Sequence, residues 1–277
     1  MLDRSGVLER EMEAKCKHFG SVQSVVNRDH MTPETNCDPF TIRIGTWNTR
    51  WAKPSSIGGK IISKVLAASD CDVLCVTEGF AGILPEGGHV IDAGKDWGYR
   101  IYKGRRKVLL WSKQPWTPHV DAVGSADLPG GRFVAGSTET LSGACLTAVG
   151  VCIPWSGAHV KSGRRDRTWW QDHEAWLAGF GKLRSGMSES RTIILGDFNQ
   201  RIPKTYAPLR AYKALNCAFK GFKFATEGEL SGGQRLIDHI AHTPDLTPGS
   251  IGVWDKQTAD GTSLSDHFGV WCDFSAG

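Results

Sequence analysis

Gly196-Asp197-Phe198-Asn199 follows the apolar run Thr192-Ile193-Ile194-Leu195, and Ser265-Asp266-His267 stands just before Phe268-Gly269-Val270-Trp271. These two clusters hold the most chemically capable residues of the chain. A short apolar run bounded by Gly has the pattern of a buried strand, and side chains two apart on a strand leave on the same side. Asp197 and Asn199 are therefore expected to point together. A carboxylate that only accepts hydrogen bonds, beside an amide that donates or accepts them, is able to hold a water next to a phosphate. The chemistry this pattern suggests is metal-assisted phosphodiester hydrolysis.

Alone, Gly-Asp-x-Asn is ordinary turn composition. Three further polar residues stand at or just past apolar runs and change that reading. Thr41-Ile42-Arg43-Ile44-Gly45-Thr46-Trp47 alternates like a strand and delivers Asn48; Asp72-Val73-Leu74-Cys75-Val76-Thr77 delivers Glu78; Leu236-Ile237-Asp238-His239-Ile240 carries Asp238 inside another apolar stretch. Taken singly, Asn48 could cap a turn, Glu78 could pair with a lysine, and Asp238 could form a surface pair. Polar residues at the ends of strands that share a sheet converge in one cleft.

In this order the residues resemble the endonuclease/exonuclease/phosphatase superfamily, the group typified by deoxyribonuclease I and exonuclease III. Thr46-Trp47-Asn48 is similar to its first motif and Thr77-Glu78 to its metal-binding glutamate. Gly196-Asp197-Phe198-Asn199 matches its central motif, Leu236-Ile237-Asp238 its Asp strand, and Ser265-Asp266-His267 its closing motif. The resemblance spans Thr41 to the C-terminus. It implies a four-layer α/β sandwich, with two packed and mostly antiparallel β-sheets flanked by helices (DNase I-like). It also implies a catalytic set of Asn48, Glu78, Asp197, Asn199, Asp238, Asp266 and His267. Glu78, Asn48 and Asp266 would hold Mg²⁺, with Mn²⁺ able to substitute, because hard oxygen ligands suit a hard cation. Asp197 would orient or deprotonate the water, Asn199 would hold the water or the phosphate, and Asp238 would fix the ring of His267. Which group removes the proton stays open.

The pattern departs from the family in two places. Many members carry a mid-chain His at the end of a strand; here that strand reads Val149-Gly150-Val151-Cys152-Ile153-Pro154-Trp155, with Cys152 in its place. Trp155, His159, Arg164 and Arg165 in the following loop are the candidate substrate-binding residues. Glu78 is preceded by Thr77 where many members have Gln.

Positioning these residues requires strands and a few helices. Apolar residues at Ile61, Ile62, Val65 and Leu66 predict a helix over 57–68. Strands are expected over 99–102, 108–111, 132–140 and 144–153, and a helix over 166–183 with a stripe of Trp169, Trp170, His173, Trp176, Leu177 and Phe180. Trp47, Trp111, Trp254 and Trp271 are expected inside the sandwich, whereas Trp51 and Trp155 follow site strands and could stack on a base. Residues 1–40 form an expected N-terminal extension, with a short helix over Val7–His18 and a polar linker over Asn27–Pro39, ahead of a catalytic domain over 41–277.

The 277 residues, 40% of them hydrophobic, suffice for one large core. The net charge of +4 is modest, yet basic residues bunch in Lys103–Lys107 and Lys161–Arg167. Bunching favours a polyanionic partner, here nucleic acid, with DNA expected ahead of RNA. Of the eight cysteines, Cys71, Cys75, Cys145, Cys152 and Cys272 fall in strand-like runs and read as buried free thiols. No Cys/His spacing suits zinc. No apolar stretch approaches the roughly 20 residues of a membrane span, and the charged N-terminus lacks a secretory core, so a cytoplasmic location without membrane contact is expected. His89, His119 and His242 are expected at the surface. A DNA end-processing enzyme, a lipid or small-molecule phosphodiesterase, and a non-catalytic nucleic-acid-binding domain remain as alternative functions.

Overall fold

Alternation along the strands builds the layers. In β1 (Phe40–Asn48), Ile42 and Ile44 enter the core between two sheets while Trp47 faces the opposite side. In β2 (Val73–Phe80), Val73 and Cys75 go inward while Leu74 and Val76 go outward. In the computed structural model the described residues are 40–276, apart from 122–127, 141–142, 185–186 and 188–189. The expected helix at 7–18 and linker at 27–39 lie outside them.

The further strands are β3 (His89–Asp92), β4 (Arg105–Ser112), β5 (Trp116–Asp121), β6 (Phe133–Glu139), β7 (Cys145–Cys152), β8 (Thr192–Asp197), β9 (Lys223–Phe224), β10 (Asp238–His242), β11 (Thr247–Trp254) and β12 (Gly269–Ala276). One six-stranded sheet has the order β11-β12-β1-β2-β4-β3 and the other β5-β6-β7-β8-β10-β9. Pairing is antiparallel except for β1 with β2 and β7 with β8. Parallel neighbours need a crossover. Helix α1 (Ile57–Ala68) supplies the first and α2 (Gln171–Arg184) the second. A third helix, α3 (Leu209–Ala218), lies beside α2.

Three apolar clusters follow from this. Ile44, Val73, Leu110, Ala148, Ile193, Leu195 and Ile240 fill the space between the sheets. Ile62 and Leu66 of α1 cover the outer face of the first sheet against Leu74, Val76 and Leu109. Trp176, Leu177 and Phe180 of α2 cover the second against Val149, Val151 and Ile194. The result is helix, sheet, sheet, helix: the expected four-layer DNase I-like sandwich. Among the described residues no helix is long and apolar enough to cross a membrane.

Several local expectations need correction. Residues 99–102 form no strand but lead into a turn before β4. Helix α2 begins at Gln171 rather than 166, because Trp170 has φ of 72°, which a right-handed helix does not accept. Trp169 is consequently exposed, and the buried stripe narrows to His173, Trp176, Leu177 and Phe180. Cys145, the first residue of β7, is exposed, and Cys217 is disulfide-bonded. His242 is buried against Phe274 rather than at the surface.

Two further histidines are buried with fixed partners. His173 Nδ1 donates to the Pro154 carbonyl at 2.7 Å and its Nε2 receives Gln200 Nε2 at 2.6 Å. His239 lies between Thr226 Oγ1 and the Gln200 carbonyl, each at 3.0 Å. Burial holds both rings at a pKa of about 4, so both are neutral in the fold. The unfolded chain protonates them below roughly 6.5. Their contribution is thus intact above that pH and is lost as pH falls towards 4. We predict that urea unfolding of the wild type between pH 6.5 and 4 loses about 3 kcal/mol more than that of His173→Gln. Parallel curves for the two proteins would contradict this.

Candidate active site

The inward side of the alternation carries polar residues at one rim of the sandwich. Asn48 ends β1, Cys152 ends β7 and Asp197 ends β8, each two residues or a multiple of two beyond inward-facing apolar residues. Asp238 starts β10 directly opposite Asp197 in the antiparallel register. His267 stands just before β12, which pairs with β1. Gly196 is required here: its φ is 141°, and a Cβ would meet the Val151 carbonyl oxygen at 1.9 Å.

Hydrogen bonds tie these groups into one cluster. Asp197 Oδ2 accepts from Asn48 Nδ2 and Asn199 Nδ2, both at 2.9 Å, and Oδ1 accepts from the Asn199 backbone N–H at 2.9 Å. Asp238 Oδ1 accepts from the Asn48 backbone N–H at 3.2 Å, and Asp238 Oδ2 bonds His267 Nδ1. Ser265 Oγ donates to the Asn48 carbonyl at 2.6 Å and accepts from the His267 backbone N–H at 3.1 Å. Trp47 Nε1 holds the His267 carbonyl at 3.0 Å. Asp197, Asp238 and His267 bring potential ligand atoms within 4.8 Å of one another.

Burial sets the electrostatics. It raises Asp197 to about 7, with the charges of Asp238 and Glu78 adding to the effect and His267 opposing it. Asp238 is raised by the same burial. Burial lowers His267, but the charges of Asp238 and Asp197 and the hydrogen bond its Nδ1–H donates to Asp238 outweigh it and lift the ring to about 10. At neutral pH His267 is an imidazolium, held among carboxylates.

The sequence matches the endonuclease/exonuclease/phosphatase family over residues 45–267. The chain belongs to that family. It is accordingly a phosphodiester hydrolase of the endonuclease/exonuclease/phosphatase type. No curated protein matches it. Its fold is similar to the human nocturnin catalytic domain with bound sulfate, with a TM-score of 0.62, 19% identity and coverage of 87% of this chain and 97% of that one. It is also similar to an AP endonuclease from Archaeoglobus fulgidus, with a TM-score of 0.60, 18% identity and coverage of 83% and 98%. D. rerio TDP2 complexed with a single-strand DNA product gives a TM-score of 0.59, 13% identity and coverage of 84% and 98%.

Other site residues of the family pattern stand around this cluster. Glu78 has φ of 48°, in the left-handed region, where a strand would otherwise turn its side chain towards α1. Its carboxylate bonds Lys107, which faces it across β2 and β4 between the register pairs Thr77–Val108 and Gly79–Arg106. The charge of Glu78 nevertheless reaches Asp197 and Asp238. Asp266 is half exposed and pairs with Arg50 Nε at 3.5 Å, while the Arg50 backbone N–H donates to Asn48 Oδ1 at 2.9 Å. Arg50, Trp51, Glu78 and Asn199 all have φ between 46° and 61°, so backbone strain gathers at this rim.

The loop after β7 divides. Trp155 is 37% exposed and meets Trp169 edge to face at 6.2 Å. His159 is committed elsewhere: it bonds Asp172 and stacks on Tyr99 at 4.5 Å. Arg164 is exposed and pairs with Asp166, and Arg165 is exposed with φ of 61°. The sequence places Lys107 only in a basic run and Ser265 only in a motif, and gives Arg132 no role at the site. Lys107 and Arg132 bring positive charge to Cys152, whose buried thiol is pushed up to about 12 and so stays neutral. Only the alternation of β4, which puts Lys107 opposite Glu78, could have singled that lysine out.

Ser265 links the main chains of Asn48 and His267 while touching no reacting group. We predict that Ser265→Ala costs about 1–2 kcal/mol of stability and lowers kcat by about tenfold through misplacement of His267. Thermal unfolding and steady-state kinetics, measured together, check both numbers.

Proposed function

We propose that this protein is a Mg²⁺-dependent nuclease that hydrolyses phosphodiester bonds of DNA. The observation that carries the proposal is the buried constellation at the sandwich rim: Asp197 held by two asparagine amides, beside an imidazolium held by Asp238. The AP endonuclease and the DNA-bound TDP2 of the same fold favour DNA as the substrate.

The donor set fits a hard divalent cation. Glu78 and Asp266 offer carboxylates, and Asn48 Oδ1 keeps one lone pair free beside its bond from Arg50. A cation on these oxygens would neutralise charge that develops on the phosphoryl group. Asp197, with its pKa near 7, takes the proton of the attacking water near neutral pH, where a base is most effective. Asn199 and Asn48 fix the carboxylate by donating to Oδ2, and Asn199 Nδ2 is itself anchored to the Ile153 carbonyl at 2.9 Å. His267 meets a phosphoryl oxygen through its Nε2–H, which lies 3.9 Å from Asp266 Oδ1, because Nδ1 is engaged by Asp238. Cys152 offers no such donor. Lys107 supplies positive charge on that side instead.

Purified protein with Mg²⁺ is expected to convert supercoiled plasmid to nicked and linear forms, and EDTA is expected to stop it. His267→Ala is expected to lower the rate by about 10²–10⁴-fold. Glu78→Ala is expected to raise the Mg²⁺ concentration needed for half-maximal rate. An intact plasmid under all conditions, together with intact DNA ends and RNA, would sink the nuclease reading and leave a binding-only domain.

A further inference from the structure

Next to Glu78 the chain builds a ladder of alternating rings and cations. Trp97 is buried and stacks on Trp51 at 5.4 Å with an interplanar angle of 21°. On Trp51 lies the Arg105 guanidinium, at 4.8 Å from the ring centroid, and on Arg105 lies Tyr102, at 4.6 Å. Arg100 closes the series at 5.4 Å from Tyr102. A tight turn fixes the order: the Arg105 N–H donates to the Tyr102 carbonyl at 3.2 Å, and Gly104 takes φ of 77°. Trp51 in turn is anchored to the site, since its backbone N–H donates to the Glu78 carbonyl at 2.6 Å.

The Arg105 guanidinium thus lies against two aromatic rings, and its N–H groups are the part able to bind an anion. Its neighbours on β4 stand beside carboxylates, Arg106 beside Asp92 and Lys107 beside Glu78. Among the described residues no carboxylate or carbonyl accepts from the Arg105 guanidinium. A guanidinium held against two rings has lost part of its side-chain freedom in advance and presents a fork matched to phosphate oxygens. Arg105 and Lys107 are two residues apart on β4, so they share a face at roughly 7 Å separation, and Lys107 Nζ lies 5.4 Å from the same Trp51 ring. Successive phosphates of one strand match that spacing.

We propose that Arg105, clamped between Trp51 and Tyr102, binds the backbone phosphate next to the scissile one, so that the preferred substrate is a nucleic-acid strand rather than an isolated phosphodiester. This rests on the nuclease reading above. Lys107 and the cluster at Asp197 serve the scissile phosphate, and Arg105 serves its neighbour. Tyr102, 45% exposed, is the positioning residue that restricts the rotamers of Arg105.

The test compares a short single-stranded oligonucleotide with bis(p-nitrophenyl) phosphate, which has one phosphodiester and no neighbour. Arg105→Gln is expected to lower kcat/KM on the oligonucleotide by about tenfold or more, chiefly through KM. That loss should exceed the loss on bis(p-nitrophenyl) phosphate by about tenfold. The slope of log kcat/KM against log salt should become shallower by about 0.7, the loss of one phosphate contact on a single strand. Tyr102→Leu keeps the charge and removes one ring, and is expected to give a smaller loss of the same kind. Equal losses on both substrates, or no loss on either, would overturn the assignment to Arg105 while leaving the nuclease reading in place. Wild-type turnover of bis(p-nitrophenyl) phosphate without any cleavage or binding of oligonucleotides would overturn both.

Discussion

The bond between Asp238 and His267 is the constraint around which the site is organised. The register of β8 and β10 sets Asp197 and Asp238 opposite each other inside the sandwich, both almost wholly buried. Two like charges so placed cannot both ionise without compensation. The imidazolium of His267 is that compensation, and its position is secured by three contacts: Asp238, Ser265 and the Trp47 indole. The amides of Asn48 and Asn199 then complete the shell of Asp197. Because β1 pairs with β12, the strand that delivers Asn48 also sets the height of His267. The cluster is thus a property of how the two sheets meet, and no single segment contains it.

A second constraint concerns Glu78. In a regular strand its side chain would leave towards α1, on the apolar side lined by Leu74 and Val76. The left-handed backbone at Glu78 turns the carboxylate to the rim, and Lys107 across the sheet balances its charge. Left-handed backbone in a residue other than glycine persists only where surrounding contacts over-determine it. Here those contacts are the backbone bonds from Thr49 and Trp51 to the Thr77 and Glu78 carbonyls. The same bonds seat Trp51 against Arg105, so the geometry that aims the acidic residue also assembles the stacked cation beside it.

Much of this was legible in the sequence because strands alternate. The runs ending in Asn48, Glu78 and Asp197 announce both a buried strand and a polar terminus, and helix α1 has the bounds its apolar spacing predicts. The weaker elements failed for physical reasons. Strand β11 opens with Thr-Pro-Gly-Ser and has no apolar alternation to read, and β9 is two residues long. The start of α2 was misplaced because Trp169 and Trp170 continue the helical spacing, while the left-handed backbone at Trp170 excludes them from the helix. His159 looked like a loop ligand, yet its partners Asp172 and Tyr99 are distant in sequence and only the fold brings them together. Lys107 and Arg105 were visible as members of a basic run. What each one faces depends on the pairing of β4 with β2, and pairing is not written in a run of charges.

Cys152 shows how the family pattern bends without breaking. Its sulfur lies at the end of β7, 4.0 Å from Asp197 Oδ2, at the position where the family resemblance led us to expect an imidazole. Burial keeps the thiol protonated, so it contributes neither a cation nor a strong donor. A charged ring at that position would add a second imidazolium beside His267. Its absence leaves the positive charge of the site divided between His267 on one sheet and Lys107 and Arg132 around the thiol. Arg132 is itself buried, with Nη1 donating to the Cys152 carbonyl at 3.2 Å, so its charge is fixed in place rather than free to follow a substrate.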